Sequence, residues 1–122
     1  MLEYSLKGKN ALYLDPKQNG WMYQPGKRTI DPSAGRFDIG PEMTIPRHPD
    51  LWLGKWEGEI TGQRSARLVS AKDKATGVQL VREFVLDKYS SHLTCKQLIK
   101  NISDGTKSVS YTHLTLPTTP YV

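Results

Sequence analysis

The sequence contains a single cysteine and no long apolar run. Because Cys95 is the only thiol, the chain cannot form an internal disulfide, and we expect a buried structural thiol rather than a reactive one. No apolar run approaches the roughly 20 residues that a membrane-spanning helix needs. Met1 is followed by no basic and apolar leader, so the sequence predicts neither a signal peptide nor a membrane partner.

Helix-like patterns are also scarce, whereas residues that form turns are common. The 122 residues include eight prolines and ten glycines, which favours β structure with many turns in at most one small domain. The net charge is +5, but the cations are scattered, so we expect no nucleic-acid partner. Neither a glycine-rich phosphate loop nor a cluster with metal-ligand spacing is present, and the sequence therefore indicates no metal and no cofactor.

The best-patterned stretch is residues 77–104. Apolar side chains alternate from Leu80 to Leu86, and Leu93, Cys95 and Ile99 share one face of a second alternating run. A polar loop at residues 87–91 joins the two runs, so the pattern predicts two long antiparallel strands. Arg82 interrupts the first run, and we expect its guanidinium to find a partner, because an unpaired buried charge is costly.

The remaining segments are shorter and less regular. Alternation predicts further strands at residues 2–7, 11–14, 56–61 and 66–71. Residues 40–55 form the least regular part, in which Pro41, Pro46 and Pro49 are expected to exclude a helix and any central strand. A loop of this length is usually functional or disordered, and its apolar residues argue against disorder.

The final residues, 108–122, differ in composition from the rest. They contain no charged residue, so all 17 basic and 12 acidic residues precede them. Residues 109–118 resemble the in-frame translation of a transposase-type sequencing adapter. We therefore expect residues 108–122 to be an artefactual tail, with the natural sequence interrupted near Lys107. The alternative is a natural strand or linker rich in threonine and proline.

Four stretches carry a family resemblance: YSLKGKNALYL at 4–14, GRFDIGPE at 35–42, TGVQLVREFVLD at 76–87 and LTCKQLIKNISD at 93–104. Together they resemble the galactose-mutarotase-like superfamily, in particular its aldose-epimerase-like members. The resemblance implies an all-β fold of antiparallel sheets, a β-supersandwich of which residues 1–107 would be the truncated N-terminal part.

The same resemblance implies a carbohydrate-binding protein that acts on a hexose or an oligosaccharide. Enzymes of the family interconvert hexose anomers with a histidine as general acid and a glutamate as general base. Those groups lie downstream of the family's equivalent of residues 101–104, so no residue of this chain matches either one. We therefore expect no catalytic residue here and an inactive fragment. The alternative is a non-catalytic carbohydrate-binding or structural β-sandwich domain.

Five residues are the candidates for sugar binding: Arg36, Asp38, Glu42, His48 and Trp52. Planar, bidentate groups bind sugar hydroxyls, and an indole can stack on the apolar face of a pyranose. For the charged residues the alternative role is an internal ion pair or a turn cap. His48 could instead be an exposed loop histidine, and Trp52 could be part of the core, as we expect for Trp56.

Overall fold

The computed structural model describes residues 3–41 and 43–105 and the backbone of residues 110–111. Antiparallel β structure dominates, which confirms the predicted all-β class. The elements in chain order are β1 (Ser5–Leu6), β2 (Lys9–Asn10), a 3-10 turn (Pro16–Gln18), β3 (Ile39–Gly40), α1 (Pro49–Leu53), β4 (Glu57–Gly62), β5 (Ser65–Val69), β6 (Val78–Leu86), β7 (Leu93–Asn101) and β8 (Ser110–Tyr111). Within the described ranges, no helix is long and apolar enough to cross a bilayer.

Strands β4 to β7 form a four-stranded antiparallel sheet in sequence order. Its centre is the predicted hairpin, in which β6 and β7 contain nine residues each. Leu80 pairs with Ile99, and Phe84 pairs with Cys95. The strands predicted at 56–61 and 66–71 are also present, at Glu57–Gly62 and Ser65–Val69. Alternation therefore located the principal sheet to within a few residues.

The N-terminal hairpin is shorter than the sequence predicted. Only Ser5–Leu6 and Lys9–Asn10 pair, so the strand expected over 2–7 is too long and the one expected over 11–14 is wrong. The turn is tight because Lys7 and Gly8 adopt φ values of 51° and 77°. The Asn10 side-chain oxygen accepts the backbone N–H groups of Tyr4 and Leu12, each at 3.0 Å. These bonds occupy donors that a longer ladder would need.

A short helix lies where the prolines were expected to exclude one. Helix α1 contains five residues and begins at Pro49. Proline is tolerated at the first helical position, because its missing N–H would have no partner within the helix there. The Gly54 N–H donates to the Asp50 carbonyl at 3.1 Å and closes the last turn. The exclusion of a helix from residues 40–55 was therefore wrong.

The core lies against one face of the four-stranded sheet, which we call the core face. Val78 and Leu80 on β6 pack with three residues of the 37–51 region, namely Phe37, Ile39 and Leu51. Ile45, Trp56 and Ile99 pack around this cluster, which confirms the core position predicted for Trp56. A buried turn precedes β6, in which the Asp73 carboxylate accepts the Thr76 N–H at 2.9 Å and also the Thr76 hydroxyl.

The core covers only one end of the core face. Cys95 shares this face with Ile99, because the two are an even number of residues apart on one strand, yet its side chain is exposed. The predicted buried thiol is therefore wrong, although Phe84, which pairs with Cys95, is buried. In the tail, β8 pairs with β3 through Ser110 and Tyr111. The other tail residues lie outside the described ranges.

Candidate functional site

Arg36 contacts two of the other predicted site residues, Asp38 and Trp52. The Arg36 Nε donates to an Asp38 carboxylate oxygen at 2.7 Å. The Arg36 Cζ atom lies 4.4 Å from the centroid of the Trp52 ring. Burial alternates along residues 36–39: Phe37 and Ile39 are buried, whereas Arg36 and Asp38 are half-buried and contact each other outside the core. We call this group the Arg36 cluster.

The geometry of the Arg36 cluster holds the guanidinium on two sides. A charge-assisted hydrogen bond fixes its edge, and the indole supports its face through a cation–π contact. The side chains of Arg36 and Asp38 keep 26% and 30% of their surface exposed, so solvent screens the ion pair only in part. The alternative role, an internal ion pair, is therefore present between Arg36 and Asp38. The same two side chains also place planar polar groups beside the half-buried ring of Trp52.

Helix α1 is fixed on both flanks of Leu51. Leu51 is fully buried, and neighbours one residue away on a helix project about 100° to either side. On one flank Trp52 meets Arg36. On the other, the Tyr23 hydroxyl donates to the Asp50 carboxylate at 2.6 Å. The hydrogen bond to Asp50 raises the pKa of Tyr23 to about 12, because loss of the phenolic proton would leave two anions in contact.

Sequence reasoning missed both Tyr23 and Asp50. The two residues are 27 positions apart, and the segment between them contains no regular element longer than two residues in the described chain. No periodicity connects them, so no pattern could have paired them. Trp21 lies nearby, with its ring centroid 6.5 Å from that of Tyr23. The surroundings of α1 are therefore richer in aromatic groups than the five candidates suggested.

The other two candidates do not join the Arg36 cluster. His48 directly precedes α1 and retains only 7% of its surface exposure. Its Nδ1 lies 2.9 Å from the Pro46 carbonyl oxygen, so the ring is bonded within its own loop. The alternative of an exposed loop histidine is wrong. Glu42 lies outside the described residues. His92, which directly precedes β7, is exposed, as the polar parity of residues 92–100 predicted.

Metal chemistry has no support in the part of the chain that the structure describes, where no three His, Cys, Asp or Glu side chains are grouped closely enough to hold an ion. No protein-family model, curated protein or solved structure matches the chain. The resemblance to the galactose-mutarotase-like superfamily therefore stays a prediction.

Proposed function

We propose that the chain is the N-terminal part of a carbohydrate-binding, aldose-epimerase-like protein and that it binds a hexose or an oligosaccharide at the Arg36 cluster. The observation that carries this proposal is the contact of the Arg36 guanidinium with both Asp38 and the Trp52 ring. Three residues that were candidates on chemical grounds, from two separate stretches of sequence, are neighbours in space.

The chemistry of the Arg36 cluster suits a sugar. A carboxylate accepts hydrogen bonds from hydroxyl groups, and a guanidinium donates to hydroxyl and ring oxygens in one plane. The Trp52 ring offers an apolar surface to sugar C–H groups. Since the ion pair is formed before any ligand arrives, binding would not require these side chains to become ordered. The anchoring of α1 through Tyr23 and Asp50 keeps Trp52 in place.

The catalytic part of the proposal rests on the family resemblance alone. The parent protein would interconvert hexose anomers with a histidine and a glutamate that this chain does not contain. A second candidate is a non-catalytic carbohydrate-binding or structural domain. The burial of His48 and its bond to Pro46 favour that alternative for the isolated chain, because a buried histidine bonded within its own loop is poorly placed to exchange a proton with a substrate.

Tryptophan fluorescence tests the proposed binding. Glucose, galactose and a short oligosaccharide would be titrated into the wild-type chain and into the Trp52→Phe and Trp21→Phe variants. We expect a saturable change with a dissociation constant on the order of 1 mM, which corresponds to about 4 kcal/mol. The change should disappear in Trp52→Phe and persist in Trp21→Phe. No saturable change with any sugar, or equal loss in both variants, would refute sugar binding at this cluster.

Polarimetry separates the two candidates. Mutarotation of freshly dissolved α-glucose or α-galactose would be followed with the chain present and absent. We expect the uncatalysed rate with this chain, and an accelerated rate only with a longer chain that supplies the histidine and glutamate. Binding without acceleration by the longer chain would support the non-catalytic domain.

A further inference from the structure

A second candidate site lies on the opposite face of the four-stranded sheet, which we call the outer face. A groove of about 370 Å³ opens there along the ends of β4, β5 and β6. Its lining consists of Lys55, Glu57, Val69, Ser70, Ala71, Lys72 and Gln79. Gln79 directly follows the core residue Val78, and Val69 pairs with Val81, which is three residues from Val78 along β6. Val69 and Gln79 therefore project away from the core. The groove is therefore separate from the Arg36 cluster, and its volume is within the range of small-molecule sites.

The groove has an apolar floor and charged walls. Val69 and Ala71, on and just beyond β5, supply the apolar lining, which we call the floor, and Lys55, Glu57 and Lys72 supply the charged lining, which we call the walls. Within the described ranges, none of these three charged side chains has an ion-pair partner. The groove thus has two cations against one anion and a net charge of +1, on a surface where Arg67 and Glu83 do pair across β5 and β6 at 3.8 Å.

The polar side chains between the walls are held in fixed orientations. The Gln79 amide nitrogen donates to the Ser70 carbonyl at 3.0 Å. The Ser70 hydroxyl donates to the Ala71 carbonyl at 2.8 Å and accepts the Leu80 N–H at 2.9 Å. The Ser70 hydroxyl thus uses its hydrogen-bonding capacity on backbone groups. The Gln79 side chain is anchored through its nitrogen, and within the described ranges its oxygen has no hydrogen-bond donor.

We propose that this groove binds a sugar that carries a carboxylate, such as a hexuronate. The two ammonium groups would bind the carboxylate, and the apolar floor would contact the C–H face of the ring. Glu57 and the Gln79 oxygen would accept hydrogen bonds from hydroxyl groups. A neutral sugar would leave the net charge of +1 without a counter-charge, and a simple carboxylate would leave the floor and the acceptors unused. This inference is independent of sugar binding at the Arg36 cluster.

Calorimetric titration with glucuronate, glucose and acetate at low ionic strength tests the inference with the whole chain. We expect glucuronate to bind about tenfold more tightly than either glucose or acetate, and its affinity to fall as salt is added. Equal affinity for glucuronate and glucose would refute the role of the lysines. Equal affinity for glucuronate and acetate would refute recognition of the sugar.

Lysine variants locate the site. Lys55→Gln and Lys72→Gln should each weaken glucuronate binding about threefold, in keeping with the modest strength of exposed ion pairs. The matched control is Lys74→Gln, an exposed lysine outside the groove, which should bind like the wild type. The same titrations in the Trp52→Phe background remove hexose binding at the Arg36 cluster, so failure of that cluster and failure of this groove are distinguishable. Equal weakening in Lys74→Gln and Lys72→Gln would overturn the assignment.

Discussion

The two ends of the core face differ, although the same strands form both. At one end, which we call the covered half, Val78 and Leu80 are fully buried beneath Phe37, Ile39 and Leu51. At the other, which we call the open half, Phe84 is buried beside the Arg82 guanidinium, but Ile60 is 80% exposed, Leu86 is 39% exposed and the Cys95 thiol is exposed as well. Alternation along a strand thus determines which side chains share a face, but a second segment must reach that face before they are buried.

The boundary between the two halves is marked by two polar side chains. Arg82 on β6 pairs with Gln97 on β7 in the register of the sheet. The Arg82 Nε and the Gln97 Oε1 are both buried, and neither has a hydrogen-bond partner in the described part of the chain. The guanidinium instead lies 5.2 Å from the Phe84 ring centroid, and its Nη2 lies 4.0 Å from the Cys95 sulfur. The partner that we expected for Arg82 is thus a ring and a weak acceptor, and both are on the open half.

The largest expected difference in unfolding free energy is between two variants, each with one leucine replaced by alanine in one of the halves. Leu51→Ala removes a fully buried side chain and should lower the free energy of unfolding by about 2–5 kcal/mol. Leu86→Ala removes a partly exposed side chain and should cost less than about 1 kcal/mol. Urea unfolding followed by circular dichroism measures both. Equal losses would show that the open half is covered in solution.

Replacing the boundary pair, Arg82 and Gln97, should raise the free energy of unfolding, by less than Leu51→Ala lowers it. Replacing Arg82 and Gln97 together, as Arg82→Met with Gln97→Leu, removes an unpaired donor and an unpaired acceptor. We expect the double variant to gain about 1 kcal/mol in unfolding free energy. Each single variant leaves one polar atom unpaired and should gain less, so the two changes should not be independent. A double variant that is markedly less stable than the wild type would mean that the two side chains have partners in solution.

The sequence predicted the sheet well because the signal there is local. Leu80, Phe84 and Leu86 share one parity along β6, Val81 and Val85 share the other, and the loop between β6 and β7 is polar. A hairpin needs little more than these two features. Burial was harder to predict, because Cys95 has the correct parity for a buried position and yet lies on the open half. The covering segment contributes Phe37, Ile39 and Leu51, and the sequence does not show that it reaches only one end.

The candidate site was partly predictable for a different reason. Side-chain chemistry identified Arg36, Asp38 and Trp52, whereas their contact depends on the path of an irregular chain between residues 38 and 52. The sequence pattern does not predict the short helix within that path, because a proline can act either as a helix breaker or as a first helical residue, and Pro49 is the latter. Because the helix was not predicted, the contact between Asp50 and Tyr23 on one of its flanks could not be predicted either.

The contact between Tyr23 and Asp50 provides a pH-dependent test of how the covered half is held. The pKa of Tyr23 is about 12 in the folded chain against an ordinary value of 10.0. Its contribution to stability is therefore complete below pH 10 and is lost as the pH rises through 12. Tyr23→Phe should cost about 0.5 kcal/mol at neutral pH, in keeping with a hydrogen bond that is open to solvent.

Ultraviolet titration of the tyrosines checks the pKa of Tyr23 directly. The chain contains six tyrosines, so the difference between wild type and Tyr23→Phe isolates this one. We expect its midpoint at about 12, and a return towards 10.0 in Asp50→Asn. An unchanged midpoint in Asp50→Asn would remove the physical basis for anchoring that flank of α1.

The smallest effect on stability is expected at Cys95, where the contrast between the halves is nevertheless easiest to detect chemically. Because the thiol is exposed on the open half, Cys95→Ser removes little packing and should change the unfolding free energy by less than about 0.5 kcal/mol. A thiol reagent should modify the native chain at nearly the rate seen in urea, since no local unfolding is needed for access. A second protein segment packed over Leu86 and Cys95 would instead protect the thiol. Protection that appears only in a longer chain would therefore show that the open half is an internal surface of a larger β protein.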